Sequence, residues 1–189
     1  MKLEDRIDTL SSDIGNGYRC EIAKGEHAYL RKAEWKDLDT LFAWANDREV
    51  RKNSFFTEPI TYEEHKVWFG KVWKEEGVQI YIFCERGLEK GMLRLEFGSD
   101  EVVIHYSIAK GYRNMGKGQR LILLAEQEIC NQFQNREKSG IVLINAYVKK
   151  ENIASNHIFQ KMGYKKQGEK FMKKLVIKSD SEKNMDAKI

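Results

Sequence analysis

Three cysteines, one proline and no long apolar run set the first limits on this 189-residue chain. Cys20, Cys84 and Cys130 are too few and too scattered for a disulfide framework or a cysteine-based metal site. They read as reduced thiols, and the expected compartment is the cytoplasm. No stretch approaches the roughly 20 apolar residues of a membrane helix. The first residues alternate charge with aliphatic side chains instead of placing a basic segment before an apolar one, so no secretory leader is expected. A continuous basic stripe is missing too: 33 Lys and Arg are interleaved with 29 Asp and Glu for a net charge of +4, and Lys149-Lys150 and Lys165-Lys166 are isolated pairs. That argues against a nucleic-acid partner, and neither a membrane nor a metal or redox cofactor finds support. With no internal repeat and no low-complexity linker, the length suits one domain with a sizeable core.

The hydrophobic pattern divides the chain into elements. Residues 1–27 read as an N-terminal extension in which Tyr18 to Ala23 could form an extra strand, 28–177 as the domain, and 178–189 as a flexible charged tail. Ala28 to Ala33 predicts a strand, and Asp37 to Asn46 a helix burying Leu38, Leu41, Phe42 and Ala45. Thr61-Tyr-Glu-Glu64 has the form of a capping box that opens a second helix, reaching about Trp73. Three strand-like runs follow, Gln79 to Cys84, Met92 to Phe97 and Glu101 to Ala109, separated by turns that favour an antiparallel meander. Lys117 to Phe133 then has helical period, Ile141 to Val148 is a strand, and Ile153 to Met162 is a helix between Asn152 and Gly163. Tyr164 to Gln167 and Phe171 to Ile177 close the domain as a hairpin around Gly168. The fold class is mixed α/β (α+β), with one central, mostly antiparallel sheet flanked by helices.

The segment richest in chemistry is Ile108-Ala-Lys-Gly-Tyr-Arg-Asn-Met-Gly-Lys-Gly118, between a strand and a helix. Arg113, Gly116 and Gly118 form an R-x-x-G-x-G pattern. Glycines let the backbone approach a ligand, and the first amides of a helix lack internal partners and carry positive potential. A diphosphate could lie across Asn114, Met115, Gly116, Lys117 and Gly118 up to Gln119, with Arg113 and Lys117 adding charge. Neither the nucleotide P-loop pattern nor the dinucleotide pattern fits the glycine spacing.

This segment resembles the acetyl-CoA pyrophosphate motif of GNAT acetyltransferases. Ala146-Tyr-Val-Lys-Lys-Glu-Asn152-Ile-Ala-Ser-Asn156-His-Ile-Phe-Gln-Lys161-Met-Gly-Tyr164 resembles the second block of that superfamily, and the likeness runs from about Ala28 to Ile177. The resemblance implies acetyl-CoA as co-substrate and a fourth and fifth strand that splay apart. It implies that the pantetheine arm pairs with Ser107, Ile108 and Ala109, where a bulge would expose the backbone. It also implies that Asn152 contacts that arm, in addition to or instead of capping its helix, with Phe159 beside the cofactor.

Direct attack of a neutral amine on the thioester needs a base, oxyanion donors and an acid for the thiolate. Here the chain departs from the commonest family pattern. The tyrosine of the last helix is replaced by Phe159, and the two glutamate positions on the fourth and fifth strands hold Val102 and Tyr147. Tyr147, Tyr106 and His105 are the candidate catalytic residues; Tyr147 comes first, and Tyr106 is favoured slightly over His105 because it shares a strand face with Val102. His65 and His157 are expected on helix surfaces, and Cys130 in the core.

Leu41 to Phe55, followed by Glu64-His65-Lys-Val-Trp68-Phe69, resembles the front half of GNAT enzymes that acetylate amino sugars on nucleotide carriers. That likeness makes Asn46, Arg51, Asn53, Ser54, Phe55 and Trp68 candidate acceptor residues, Arg51 through a bidentate phosphate contact. The expected partner is a small-molecule amine, and the expected assembly a monomer or homodimer. Acetylation of peptide N-termini, ribosomal proteins or polyamines stays open, with Glu58, Glu63 and Glu64 as the mark of a polyamine pocket. So does a non-catalytic CoA-binding module, on the strength of Phe159.

Overall fold

The computed structural model describes residues 28–135 and 140–177. The expected strand at Tyr18–Ala23 and the charged tail lie outside the described residues. Seven strands and five helices follow in the order β1 (Ala28–Lys32), α1 (Leu38–Ala45), α2 (Arg48–Asn53), α3 (Tyr62–Val72), β2 (Val78–Glu85), β3 (Leu88–Phe97), β4 (Glu101–Ile108), α4 (Lys117–Gln134), β5 (Gly140–Tyr147), α5 (Ile153–Lys161), β6 (Lys165–Gln167) and β7 (Lys170–Ile177). Among the described residues, no helix is long and apolar enough to cross a membrane.

The strands form one sheet in the order β1-β2-β3-β4-β5-β7-β6. Strands β1 to β4 are an antiparallel meander, as the short turns between them require. β4 then meets β5 in parallel, but only across Glu101–Val103 and Leu143–Asn145. Beyond Val103 the two strands part, while β3 stays paired with β4 as far as Ile108 and β7 with β5 as far as Tyr147. The splay is therefore present. The expected bulge in β4 is not: β4 runs against β3 without a break, and the shift in register lies in β2, between Phe83 and Cys84.

Alternation along the strands builds two cores, one on each face. On one face Phe83, Leu93, Leu95, Val102, Ile104, Ile144 and Phe171 pack against Leu121, Ile122, Ala125 and Ile129 of α4. Full burial of each large side chain stabilises by about 1.5–3 kcal/mol. On the other, Ile82 and Cys84 meet Leu38 and Leu41 of α1 and Phe69 of α3. We call these the α4 face and the α3 face.

Two expectations change. α2 was not anticipated: it buries none of its residues and depends on Asp47, whose carboxylate accepts from the amides of Glu49 and Val50. His65 is not on a helix surface. It is 3% exposed, with its ring among those of Phe42, Trp68 and Phe69. Burial, helped by Arg51, depresses its pKa below the usual imidazole value. The capping box is formed as expected, Thr61 accepting from the Glu64 amide while Glu64 accepts from the Thr61 amide.

Candidate acetyl-CoA site and the splayed strands

Helix α4 begins at the edge of the splay. Gly116, its N-cap, has φ 70°, a left-handed conformation for which glycine is suited, and Asn114 shares that region at φ 60°. No side chain caps this end, and the first turn carries no acidic residue. The amides of Lys117, Gly118 and Gln119 thus lack intrahelical acceptors, and the dipole of an 18-residue helix adds positive potential there. Gly118 is buried: a Cβ on it would stand 2.7 Å from Ile158 Cδ1 of α5 and 3.4 Å from the Tyr106 ring of β4. The start of α4 is thereby seated directly on β4 and α5. This uncapped, glycine-lined end fits the diphosphate of acetyl-CoA.

The basic side chains of the loop are already engaged. Arg113 donates from Nε to the Ile108 carbonyl (2.9 Å) and from Nη2 to Asp47 (2.6 Å). Lys117 Nζ lies 2.7 Å from Glu85, a carboxylate 1% exposed that also takes Lys90 at 2.5 Å and faces Arg120 at 3.7 Å. Burial works to raise the Glu85 pKa, but the hydrogen bonds from Lys117 and Lys90 hold it below the usual value. Neither Glu85 nor Asp47 was anticipated. Both lie far in sequence from the loop they stabilise, and only the register of β2 and the capping pattern of α2 hinted at them.

Of the expected pantetheine residues, Ser107 and Ile108 pair with β3 through Met92 and Gly91, and Ala109 donates its amide to Lys90. Asn152 caps α5, its Oδ1 accepting from the Ser155 amide at 3.1 Å. Phe159 is 1% exposed and packs in the core among the rings of Tyr106, Tyr164 and Phe171.

The three catalytic candidates divide between the faces. Tyr106 points to the α4 face, where its hydroxyl lies 3.0 Å from Ser155 Oγ of α5. Burial pushes its pKa up to about 12, which keeps the phenol protonated at neutral pH. His105 points to the α3 face. There its Nε2 is 3.2 Å from Glu96 Oε1, and burial followed by the charge of Arg94 depresses its pKa. Arg94 is itself fixed between Glu96 (2.9 Å) and the Trp68 ring (5.6 Å). Trp68, Val72, Arg94, Glu96 and Phe97 line a cavity of about 300 Å³. Tyr147, at the end of β5, is 50% exposed, with Lys170 over its ring.

Most of the expected acceptor residues hold the loop around α2 together. Asn46 donates to the Ile60 carbonyl and accepts from its amide. Arg51 donates to the carbonyls of Ala45, Phe56 and Glu58 and to Ser54 Oγ. Asn53 donates to the Glu49 carbonyl and Ser54 to that of Val50. A bidentate phosphate contact from Arg51 is at odds with these bonds. Phe55 and its neighbour Phe56 are exposed, and Trp68 is half-buried. Glu64 is engaged in its capping box.

The profile of the Acetyltransferase (GNAT) domain family matches residues 27–165, well over half of the chain. A spermidine N-acetyltransferase from Vibrio cholerae, solved with CoA and spermine, superposes with a TM-score of 0.64 at 17% identity, over 79% of this chain and 95% of that one. The aminoglycoside acetyltransferase AAC(6')-Ib with coenzyme A gives 0.64 at 16%, over 77% and 94%. A domain from Methanocaldococcus jannaschii gives 0.65 at 18%, over 80% and 99%. No curated protein matches the sequence significantly. At these identities the likeness speaks to the fold, and the family profile to the chemistry. With an uncapped helix end beside a split sheet, and with that profile across its length, the chain belongs to the GNAT acetyltransferases and is an acetyl-CoA-dependent N-acetyltransferase.

Proposed function

We propose that this enzyme acetylates the primary amine of a nucleotide-linked amino sugar, with His105 as general base and Tyr106 as the proton donor to the leaving thiolate. The observation that carries the substrate class is the rim at the open end of the splay. Exposed Tyr147 stands there with Lys170 over its ring, and Lys149 reaches the Lys52 carbonyl at 3.4 Å, which ties to that end the segment in which exposed Phe55 and Phe56 follow α2. Aromatic faces suit a base or sugar ring, and ammonium groups suit a diphosphate.

The division of roles follows from the two faces. His105 is neutral at neutral pH because burial and Arg94 disfavour its charge, so it can accept the amine's proton as the N–C bond forms. Tyr106 retains its proton, and its hydroxyl, beside Ser155, replaces the one that Phe159 lacks. Backbone amides of β4 beyond Val103, where the β5 pairing ends, are available to the oxyanion. Tyr147, exposed and next to Lys170, suits a binding role better than proton transfer.

A second reading is a polyamine or aminoglycoside acceptor, favoured by the fold neighbours solved with spermine and with CoA. Thiol release from acetyl-CoA, measured against a uridine-diphosphate amino sugar, spermidine, kanamycin and a peptide with a free N-terminus, separates the readings. Turnover confined to the nucleotide sugar supports the first. Turnover with spermidine or kanamycin and none with the nucleotide sugar replaces it with the second.

A further inference from the structure

On the α3 face a buried imidazole nitrogen stands beside a carboxylate without completing a hydrogen bond to it. Nε2 of His105 is shielded from solvent and 3.2 Å from Glu96 Oε1, yet it completes no hydrogen bond there or with any other group among the described residues. The carboxylate is not free to move away. The same Oε1 takes Arg94 Nη2 at 2.9 Å, and Arg94 is stacked on Trp68 of α3. β3 and β4 place the two residues on one face, since Arg94 is paired with His105 and Glu96 with Val103.

We propose that Glu96 is the positioning residue of His105: its carboxylate, fixed by Arg94, receives the Nε2–H of the imidazolium that forms when Nδ1 takes the proton of the acceptor amine. The proposal rests on the reading of His105 as the base. In the step, the amine nitrogen bonds to the thioester carbonyl carbon as the carbonyl π pair moves to oxygen, and its N–H proton passes to Nδ1. Collapse of the oxyanion breaks the C–S bond and expels the thiolate, which takes its proton from Tyr106. The positive charge created on the ring faces Glu96. A neutral imidazole makes a weak demand on the carboxylate, which agrees with the unaligned contact. An imidazolium adds the attraction of opposite charges to that contact, which favours the protonated ring. Arg94 acts in two opposed ways, anchoring Glu96 while its own charge disfavours the imidazolium.

The groups facing the ring bear this out. From β3 they are Arg94 and Glu96; on the side of α3 the neutral Trp68 lies beyond Arg94, and Lys71 and Glu75 line the same cavity as Arg94 and Glu96, Glu75 acting on Arg94. On β4 itself Glu101 lies on the same face but is hydrogen-bonded to Asn145 of β5, which is neutral. Glu96 is thus the carboxylate in contact with the imidazole.

The test needs no acceptor. In protein labelled with 15N-histidine, the His105 resonances, assigned with His105→Gln, report both tautomer and titration midpoint. Wild type should show the proton on Nε2 in the neutral form. Glu96→Gln should lower the midpoint, because the imidazolium loses its counter-charge, and Arg94→Gln should raise it. Glu96→Asp, which keeps the charge, should restore the midpoint in part. With whichever amine is turned over, Glu96→Gln should lower kcat about ten-fold, equivalent to about 1.4 kcal/mol in the barrier, and leave KM for acetyl-CoA unchanged. A midpoint identical in wild type and Glu96→Gln, in variants whose circular dichroism shows a native fold, would overturn the proposal. Full turnover by His105→Gln would overturn the base reading beneath it, a separate result from a separate measurement.

Discussion

Asp47 and Arg113, 66 residues apart, are joined by an ion pair of 2.6 Å that links the cap of α2 to the loop preceding α4. Asp47 does two jobs with one oxygen, since Oδ1 also caps α2. Arg113 in turn holds the Ile108 carbonyl at the end of β4. Asp47→Ala should therefore destabilise the fold by about 1 kcal/mol through the lost cap. Arg113→Gln should weaken acetyl-CoA binding about ten-fold, the effect of about 1.4 kcal/mol. Denaturant melts and calorimetric titration with acetyl-CoA measure the two separately.

Gly91 and Gly118 should respond differently to alanine. A Cβ at Gly91 would fall 2.3 Å from the Ser107 carbonyl oxygen, part of the β4 backbone, which cannot turn aside. At Gly118 the closest atom is the end of the Ile158 side chain, which can. Gly91→Ala should cost about 1–3 kcal/mol, the range for overpacking. Gly118→Ala should melt within a few degrees of wild type, because the Ile158 side chain can turn aside to admit the methyl.

Tyr106→Phe should lower kcat by about 10²-fold, within the range of a lost general acid, and leave acetyl-CoA affinity unchanged. Tyr147→Phe should leave kcat near wild type. Steady-state kinetics on the two variants decide between them, and the reverse pattern would return the acid role to Tyr147.

The pH response of stability should show the buried histidines. In the folded protein the pKa values of His65 and His105 are both depressed, so the unfolded chain binds the extra protons first. Their contribution is fully present above the ordinary imidazole value of about 6.5 and is lost as pH falls through the lower folded values. His65→Leu should flatten the fall in melting temperature between pH 7 and pH 5, as measured by calorimetry.

Much of this fold could be read from the sequence. The 2- and 3.6-residue periods located the strands and the long helices, and the glycines of Arg113 to Gly118 marked the start of α4. The rest had physical reasons for being hidden. α2 has no apolar face, so no periodicity marks it. Trp68, Phe69 and Val72 repeat from His65 at helical spacing, so its burial was signalled, but the polar neighbours Glu64 and Lys66 masked it. Glu96 meets His105 only through the register that the turn at Gly98–Asp100 imposes on β3 and β4, which no local pattern encodes. Phe159 looked like a substituted catalytic position and is a packing residue, because sequence alignment reports position without depth.

Strands β4 and β5 touch over three residue pairs and then part. A sheet opened in its middle is a doorway rather than a pocket, with a threshold on each side. On the proposed reading, the nucleotide end of CoA lies on the side of Gly118 and the amine on the side of His105, so that each substrate would have its own entrance and each product its own exit.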